Sequence, residues 1–415
     1  MKRRIAFVAA TLLVAALALA VAWPRDQFIA SSSPADWAPV SANIARGAYL
    51  AGAGDCVSCH TVRGGVAYAG GRALATPFGT LYGPNLTPDP ATGLGNWSAD
   101  DFWGALHNGR SRAGRYLYPV FPFPHYTKTT RADSDALYAY LRSLPPTRQP
   151  NLAHAMQFPF DTQLAVAGWR LLFFKPGVFA PTAAQGADWN RGAYLVEGLG
   201  HCSACHSSRN AFGASAEGLA GGMIPSLNWY APSLSGPGMP QGALVQLLHT
   251  GVSDSAAVSG PMAEVVARSL QYLSLEDVTA MATYLRTLPT IDEAGDLKMK
   301  PSMDAMTAGG ATYKRHCMAC HGSDGKGLAP AYPPLAANRN VTMTEPVNVV
   351  RVILQGGFPP GTAGNPRPYG MPPFAHVLGD DDVAALATYV RNSWGNRGSE
   401  IRAAQVNRYR SVPPE

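Results

Sequence analysis

The sequence contains only six cysteines, and none of them stands alone. All six occur in pairs that are followed at once by histidine, in the pattern Cys-x-x-Cys-His. The three copies of the pattern are Cys56–His60, Cys202–His206 and Cys317–His321. Structural zinc needs four protein ligands, whereas each copy offers three, so zinc would require ligands shared between copies far apart in the chain. Disulfide chemistry within each pair would not need the histidine that follows in every copy.

Motifs of substrate chemistry are also missing from the chain. The sequence lacks the Gly-x-Gly-x-x-Gly fingerprint of dinucleotide-binding proteins. No arrangement of nucleophile and base matches the common catalytic motifs. The chain is therefore not expected to perform substrate chemistry by itself.

The Cys-x-x-Cys-His motif is the attachment signature of c-type haem. Residues i, i+3 and i+4 lie on one face of a helical turn, so two thiols can bond the porphyrin edge while the adjacent imidazole reaches the iron. We predict three covalently bound haem c groups. Their attachment residues are Cys56, Cys59, Cys202, Cys205, Cys317 and Cys320. Their proximal iron ligands are His60, His206 and His321.

The chain begins with a short basic segment and an apolar run. Lys2, Arg3 and Arg4 precede the uncharged residues 5–22, which end in a sequence resembling a signal-peptidase site. The run also reaches the lower length limit for a membrane-spanning helix. We interpret residues 1–30 as a signal peptide or an N-terminal anchor. Either interpretation places the protein on the periplasmic side of the bacterial cytoplasmic membrane, where c-type haem is attached.

The formal charge of +6 does not indicate binding of nucleic acid. Part of it belongs to the three basic residues of the export segment, and haem propionates would offset much of the remainder. Other basic residues gather near the C-terminus. They are Arg391, Arg397, Arg402, Arg408 and Arg410. We interpret this basic tail as a solvated surface, with docking to a partner or to lipid headgroups as the alternative.

The three haem motifs have similar sequence surroundings. Arg46–Leu50 and Arg191–Leu195 both read Arg-Gly-Ala-Tyr-Leu and precede the first two motifs. A proline-containing loop, an amphipathic helix ending in glycine, and a closing helix with tyrosine follow each motif. The proline loops are at Pro84, Pro232 and Pro334. The closing helices are predicted over 137–144, 278–288 and 383–391. Ser41 and Ser98 are predicted to cap helices. This arrangement is typical of small helical cytochrome c domains, so the predicted fold is all-α.

Three tandem cytochrome c domains and two linkers account for the chain. The domains are predicted over residues 40–147, 186–290 and 303–393. A first linker covers 148–185, a second covers 290–303, and the basic tail covers 394–415. The first linker contains a strongly apolar helix candidate over 163–175, which is too short to span a bilayer. We interpret it as packing between the first two domains, or as an interfacial patch against a membrane or a partner subunit.

Methionine is the expected second iron ligand in two of the domains. A thioether is soft and favours the reduced iron, which raises the potential of an electron carrier. Met262 and Met371 both lie in glycine- and proline-containing loops, at a similar distance before Tyr284 and Tyr389 of the closing helices. We predict them to be the distal ligands of the second and third haems.

The first domain has no methionine between His60 and Tyr140. Phe121 occupies the expected place but has no lone pair to offer. His125 follows in a segment stiffened by prolines, which lowers the entropy cost of holding a ligand. We predict that His125 is the distal ligand of the first haem. The alternatives are a five-coordinate iron with Phe121 packed over it, and a His125 at the surface.

With these residues in view, the chain resembles the triple-haem cytochrome c subunits of bacterial membrane-bound dehydrogenases for alcohols, aldehydes, gluconate and related sugars. The resemblance covers nearly everything after the export segment. Its most specific parts are residues 190–206, 260–264 and 117–131. The last segment, with Phe121 and His125, is similar to the branch whose partner is a molybdenum-dependent hydroxylase or aldehyde oxidase.

The resemblance implies an electron-transfer subunit. A separate catalytic dehydrogenase subunit would oxidise the substrate, and electrons would pass through the three haems to ubiquinone or a terminal oxidase at the cytoplasmic membrane. Two alternatives stay open at this point. One is a peroxidase-like enzyme that uses an open-coordinate first haem, and the other is a freestanding electron shuttle.

Overall fold

The computed structural model describes residues 37–412 apart from Pro225, Pro237 and residues 290–299, together with five residues of the N-terminal segment. Those five are Arg4, Val8, Thr11, Leu13 and Val14. The predicted signal peptide or anchor, taken as a segment, and most of the second linker thus lie outside the described residues. Within the described part of the chain, no helix is both long enough and apolar enough to cross a membrane.

The chain divides into two compact units. The first comprises Met1–Pro181 with Glu197–His201, and the second comprises Thr182–Val196 with Cys202–Glu415. The first haem motif lies in the first unit, and the other two motifs lie in the second. The division into three domains with the boundaries given above stays a prediction.

The first unit is mainly helical. Its helices are α1 (Ser41–Ala53), α2 (Cys56–Cys59), α3 (Ala99–Asn108), α4 (Phe123–Tyr126), α5 (Arg131–Ser143) and α6 (Gln163–Phe173). Its strands are β1 (Ala73–Thr76), β2 (Gly79–Tyr82) and β3 (Ala155–Met156), which pair antiparallel in the order β1-β2-β3. Ala73 lies opposite Tyr82, and Gly79 lies opposite both Thr76 and Met156. The all-α expectation did not include this small sheet.

The second unit repeats the helical pattern twice. Its first helices are α7 (Ala187–Glu197), α8 (Ser203–His206), α9 (Gln241–Thr250), α10 (Pro261–Arg268) and α11 (Leu275–Thr287), with a 3-10 turn over Leu270–Tyr272. The later helices are α12 (Met303–His316), α13 (Met318–His321), α14 (Arg339–Thr342), α15 (Val347–Gln355), α16 (Asp380–Asn392) and α17 (Ala403–Arg410). An antiparallel hairpin joins β4 (Gly222–Ile224) to β5 (Trp229–Ala231). The closing helices predicted near Tyr140, Tyr284 and Tyr389 are confirmed as α5, α11 and α16.

A very close helix crossing recurs in all three repeats. A glycine in the helix before each haem motif faces the backbone of the closing helix. A Cβ on Gly47, Gly192 or Gly309 would come within 1.9, 1.9 and 2.1 Å of the carbonyl oxygens of Ala136, Ala280 and Ala385, respectively. Only glycine leaves room for backbones this close. The third copy lacks the Arg-Gly-Ala-Tyr-Leu sequence, so its crossing is visible only in the structure.

Local chemistry explains several helix ends. The Ser98 hydroxyl accepts a hydrogen bond from Asp101 N at 3.1 Å, and Ser98 N donates to the Asp101 carboxylate at 2.9 Å, which confirms the predicted capping box. The prediction for Ser41 is wrong, because α1 begins at Ser41 and its N-cap is Val40, which offers no side-chain acceptor. Helices α3, α9 and α15 end in glycine, as predicted. These glycines are Gly109, Gly251 and Gly356, and all three have positive φ.

The basic tail is packed in part, which corrects the expectation of a solvated surface. Arg391 in α16 is fully buried. Arg410 at the end of α17 donates to the Asp380 carboxylate at 2.6 Å and to the carbonyl oxygen of Leu378 at 2.9 Å. Val406 is buried in the same core. The tail is therefore part of the third repeat, while Arg397, Arg402 and Arg408 are exposed.

The apolar segment of the first linker forms α6, as predicted. One face packs inside the first unit, where Val166 and Ala167 are buried and the Trp169 ring meets Phe123 at 6.2 Å. The opposite side leaves leucine side chains half or more exposed. Leu164, Leu171 and Leu172 are 56%, 50% and 69% exposed.

Candidate haem attachment sites

Each Cys-x-x-Cys-His motif folds as a single helical turn. In every copy the backbone N–H of the histidine donates to the backbone carbonyl oxygen of the first cysteine. The distances are 3.1 Å for His60 and Cys56, 2.9 Å for His206 and Cys202, and 3.0 Å for His321 and Cys317. Both thiols and the imidazole therefore lie on one turn, which is the geometry that two thioether bonds and one axial ligand require.

The imidazole of each motif is held in one tautomer by a proline carbonyl. Nδ1 lies 2.8 Å from Pro84 O in His60, 2.7 Å from Pro232 O in His206, and 3.1 Å from Pro333 O in His321. A carbonyl oxygen can only accept, so Nδ1 carries the proton and Nε2 keeps its lone pair. Histidines that bind metals usually donate their second N–H in this way. The sequence indicated a proline loop in each repeat, but in the third the acceptor is Pro333 rather than Pro334.

The surroundings of the first cysteine in each motif fit a neutral thioether better than a thiolate. Burial raises the pKa of Cys56 and Cys202 to about 12 and that of Cys317 to about 11. Zinc sites and nucleophilic dithiols need thiolates, whose pKa is lowered by their surroundings. Among the described residues, no group of three or more His, Cys, Asp or Glu side chains is placed to hold a metal ion. The donor set at each motif thus fits covalent haem.

A buried tyrosine, Tyr126, lies next to the first motif, and the sequence pattern did not reveal it. Burial raises the pKa of Tyr126 well above its usual value, and the nearby Cys56, Cys59 and Asp55 raise it further. The Tyr126 hydroxyl lies 3.5 Å from a backbone carbonyl oxygen just before the motif. The only sequence signal for this tyrosine is that it follows directly after the predicted ligand of the first haem.

His125 lies on the short helix α4 and is half-buried. Its backbone N–H donates to Pro122 O at 2.9 Å. In the sequence it lies between Phe123 and Tyr126, which are both buried. The ring of Phe121 meets the ring of Tyr126 at 5.3 Å. The structure thus brings the predicted ligand segment next to a residue that borders the haem motif. The assignment of His125 as distal ligand stays a prediction.

His107 anchors the far end of α4. It is buried, stacks on Trp103 with ring centroids 4.4 Å apart, and its Nδ1 donates to Thr127 O at 2.8 Å. Burial lowers its pKa. His107 therefore has a structural role, and it fixes the chain two residues beyond His125.

The two predicted methionine ligands have different backbone settings. Met262 lies in the first turn of α10 rather than in a loop, because Pro261 is well suited to the start of a helix. Met371 pairs with Gly357 across an isolated bridge, with N–O distances of 2.8 and 3.0 Å. Both side chains are half-buried, and Met371 packs against the core of the third repeat. Their roles as iron ligands stay predictions.

Two families have models that match parts of the chain. The family described as "Cytochrome c" matches residues 44–145, and the one described as "Cytochrome C oxidase, cbb3-type, subunit III" matches residues 304–390. These ranges contain the first and third haem motifs, respectively. The chain therefore contains cytochrome c domains, which bind haem c covalently.

Curated proteins are similar over most of the chain. One component of the nicotinate dehydrogenase of Pseudomonas putida is 42% identical over 94% of this chain, which spans only 34% of that protein. The gluconate 2-dehydrogenase cytochrome c subunit of Pantoea cypripedii is 38% identical, over 85% of this chain and 86% of that protein. The cytochrome c subunit of the quinone-type alcohol dehydrogenase of Komagataeibacter europaeus is 36% identical, over 90% of this chain and 85% of that protein.

Proposed function

We propose that this chain, which belongs to the family of cytochrome c subunits of dehydrogenases, carries three haem c groups that pass electrons from a catalytic subunit to ubiquinone or another respiratory acceptor. The repeated hydrogen bond from histidine Nδ1 to a proline carbonyl supports three sites rather than one or two. Haem c supplies a one-electron couple between ferric and ferrous iron when it is bound.

The residues of the chain have distinct parts in this function. Each cysteine pair would hold one haem c through two thioether bonds, and each motif histidine would offer its Nε2 lone pair to the iron. Met262 and Met371 would favour the reduced state of the second and third haems, whereas His125 would favour the oxidised state of the first. The first haem is then the expected entry point for electrons from the partner.

We propose that the partner is a molybdenum-dependent hydroxylase. The segment with Phe121 and His125 supports this choice, since it departs from the methionine-containing pattern of the alcohol and gluconate branches. The similarity to a nicotinate dehydrogenase component is consistent with a partner outside those branches.

We place the protein at the periplasmic side of the cytoplasmic membrane, with residues 1–30 as the export segment. The exposed leucines of α6 support a contact with the membrane surface or a partner subunit.

Anaerobic mixing of the holoprotein with its partner dehydrogenase and substrate tests the function. We expect the haem absorption bands to change to those of the reduced protein only when partner and substrate are both present, and ubiquinone to reverse the change. Steady turnover of peroxide by the purified chain alone would favour the peroxidase-like alternative. Release of the chain in the soluble fraction without any partner would favour the freestanding shuttle.

A further inference from the structure

One helix of the second unit contacts the segment that holds the proximal ligand of the second haem. Asn348 on α15 is buried. Its Oδ1 accepts from Tyr230 N at 2.9 Å, and its Nδ2 donates to Tyr230 O at 2.8 Å. Tyr230 lies on β5, two residues before Pro232, whose carbonyl oxygen accepts from His206 Nδ1. The side chain of Asn348 thus binds the strand that leads directly to the partner of His206.

The next residue on the same face of α15, Arg351, contacts a tryptophan that packs against the segment leading to Met262. Arg351 is 1% exposed, and its guanidinium lies 4.4 Å from the centre of the Trp229 ring. It also donates to Asn228 O at 3.1 Å. The Trp229 indole packs so closely on Gly260 that a Cβ there would come within 2.6 Å of the ring. Gly260 lies two residues before Met262.

The C-terminal end of α15 holds the predicted distal ligand of the third haem. Gly357 follows the helix and pairs with the backbone of Met371. Just after Met371, Phe374 N donates to Ile353 O at 3.0 Å and Ala375 N donates to Leu354 O at 3.1 Å. The segment that carries Met371 is therefore bonded to the last turn of the same helix.

From these contacts we propose that Asn348 and Arg351 are positioning residues that join the ligand segments of the second haem to the helix supporting Met371. The ligands of the second and third haems then share one rigid support. Axial ligands must be held within a fraction of an ångström to keep their bonding strength, so the helix sets the properties of both haems together. This proposal rests on the proposed function, because it takes the motif histidines and the two methionines as ligands.

Three variants of the full-length holoprotein test the proposal. Asn348→Ala removes both bonds to Tyr230, and Arg351→Lys keeps the charge but loses the planar group stacked on Trp229. Asn396→Ala is the matched control. Asn396 is also buried, and among the described residues its side chain bonds within the third repeat. Its Nδ2 donates to Leu335 O at 2.9 Å and to Val390 O at 3.0 Å, and its Oδ1 accepts from Ala337 N at 2.8 Å.

Electron paramagnetic resonance and a redox titration of each variant give the deciding comparison. We expect Asn348→Ala and Arg351→Lys to shift the signal and the potential of the second haem, with a smaller shift at the third and none at the first. Asn396→Ala should affect the third haem alone. Hydrogen exchange of the peptide over residues 222–231 should be about tenfold faster in Asn348→Ala than in the control.

The proposal would be overturned if the signal and potential of the second haem were unchanged in both Asn348→Ala and Arg351→Lys. It would also be overturned if Asn396→Ala shifted the second haem as these variants are expected to do. Haem content is measured first on the wild type. Fewer than three haems per chain there would count against the proposed function instead. If Asn348→Ala does not fold, the spectrum of Arg351→Lys still decides the question.

Discussion

The segments that follow the first and third haem motifs differ in what they offer the iron. After the third motif, a methionine lies on a backbone bridge to the helix end at Gly357. After the first, Phe121 packs on Tyr126 and histidine follows on the short helix α4. In both cases, however, the helix before the motif crosses the closing helix at a glycine, which is Gly47 before the first motif and Gly309 before the third. The same helix crossing therefore accompanies two different predicted distal ligands, His125 and Met371, and we expect that difference to separate the potentials of the two haems.

Removing the predicted methionine ligands should have the largest effect on the second and third haems. Met262→Ala and Met371→Ala should each remove part of the methionine–iron charge-transfer absorption and lower the potential of one haem, because the reduced iron loses its soft ligand. A redox titration checks the potentials. A titration that matches the wild type in either variant would rule out that methionine.

The first haem should respond to a different substitution. His125→Ala should convert it from low-spin to high-spin, because the predicted imidazole ligand is lost. Electron paramagnetic resonance of the oxidised protein measures this, and Met371→Ala serves as the control that leaves the first haem unchanged. A first haem that is already high-spin in the wild type, or that stays low-spin in His125→Ala, contradicts the assignment.

The shared helix crossing predicts a loss of stability rather than a change of spectrum. Gly47→Ala should lower the free energy of unfolding by about 1 to 3 kcal/mol or more, since the added methyl group meets the carbonyl oxygen of Ala136. Gly52→Ala in the same helix is the control. A Cβ there would contact nothing within 4 Å, so the substitution should stabilise α1 by up to about 1 kcal/mol. Denaturant unfolding measures the free energy of unfolding of both variants. Equal changes in Gly47→Ala and Gly52→Ala would contradict the close crossing.

The smallest expected effect concerns pH and a single histidine of the first unit, His107. Burial lowers the pKa of His107, so the unfolded chain binds a proton that the folded chain does not. The free energy of unfolding should therefore fall as the pH drops below about 6.5. His107→Gln, which can still donate to Thr127 O, should make this decline shallower in denaturant titrations at pH 7 and pH 5. The same decline in both proteins would show that His107 makes no contribution.

The features that could be predicted from the sequence are those that depend on residues close together along the chain. The haem turns, the capping box at Ser98 and the glycine ends of α3, α9 and α15 all follow from short spacings. The loop expected around Met262 is instead the first turn of α10, and Pro261 is the sequence feature that indicates this helix start.

Features that depend on distant residues were beyond sequence reasoning. The acceptor for His60 Nδ1 lies 24 positions away, at Pro84. The bond between Arg410 and Asp380, which holds the tail, spans 30 positions. Tyr126 carries no motif, and only burial beside Cys56 reveals its place. Such contacts arise from the packing of whole helices, which no local pattern records.

The intact mass of the protein after acid–acetone extraction tests the central claim most directly, because only covalently attached haem survives that treatment. We predict a mass above that of the mature polypeptide by three haems, and by two haems in a variant with Cys202 and Cys205 both changed to Ala. A wild-type protein that retains fewer than three haems, or a double variant that retains all three, would contradict the account.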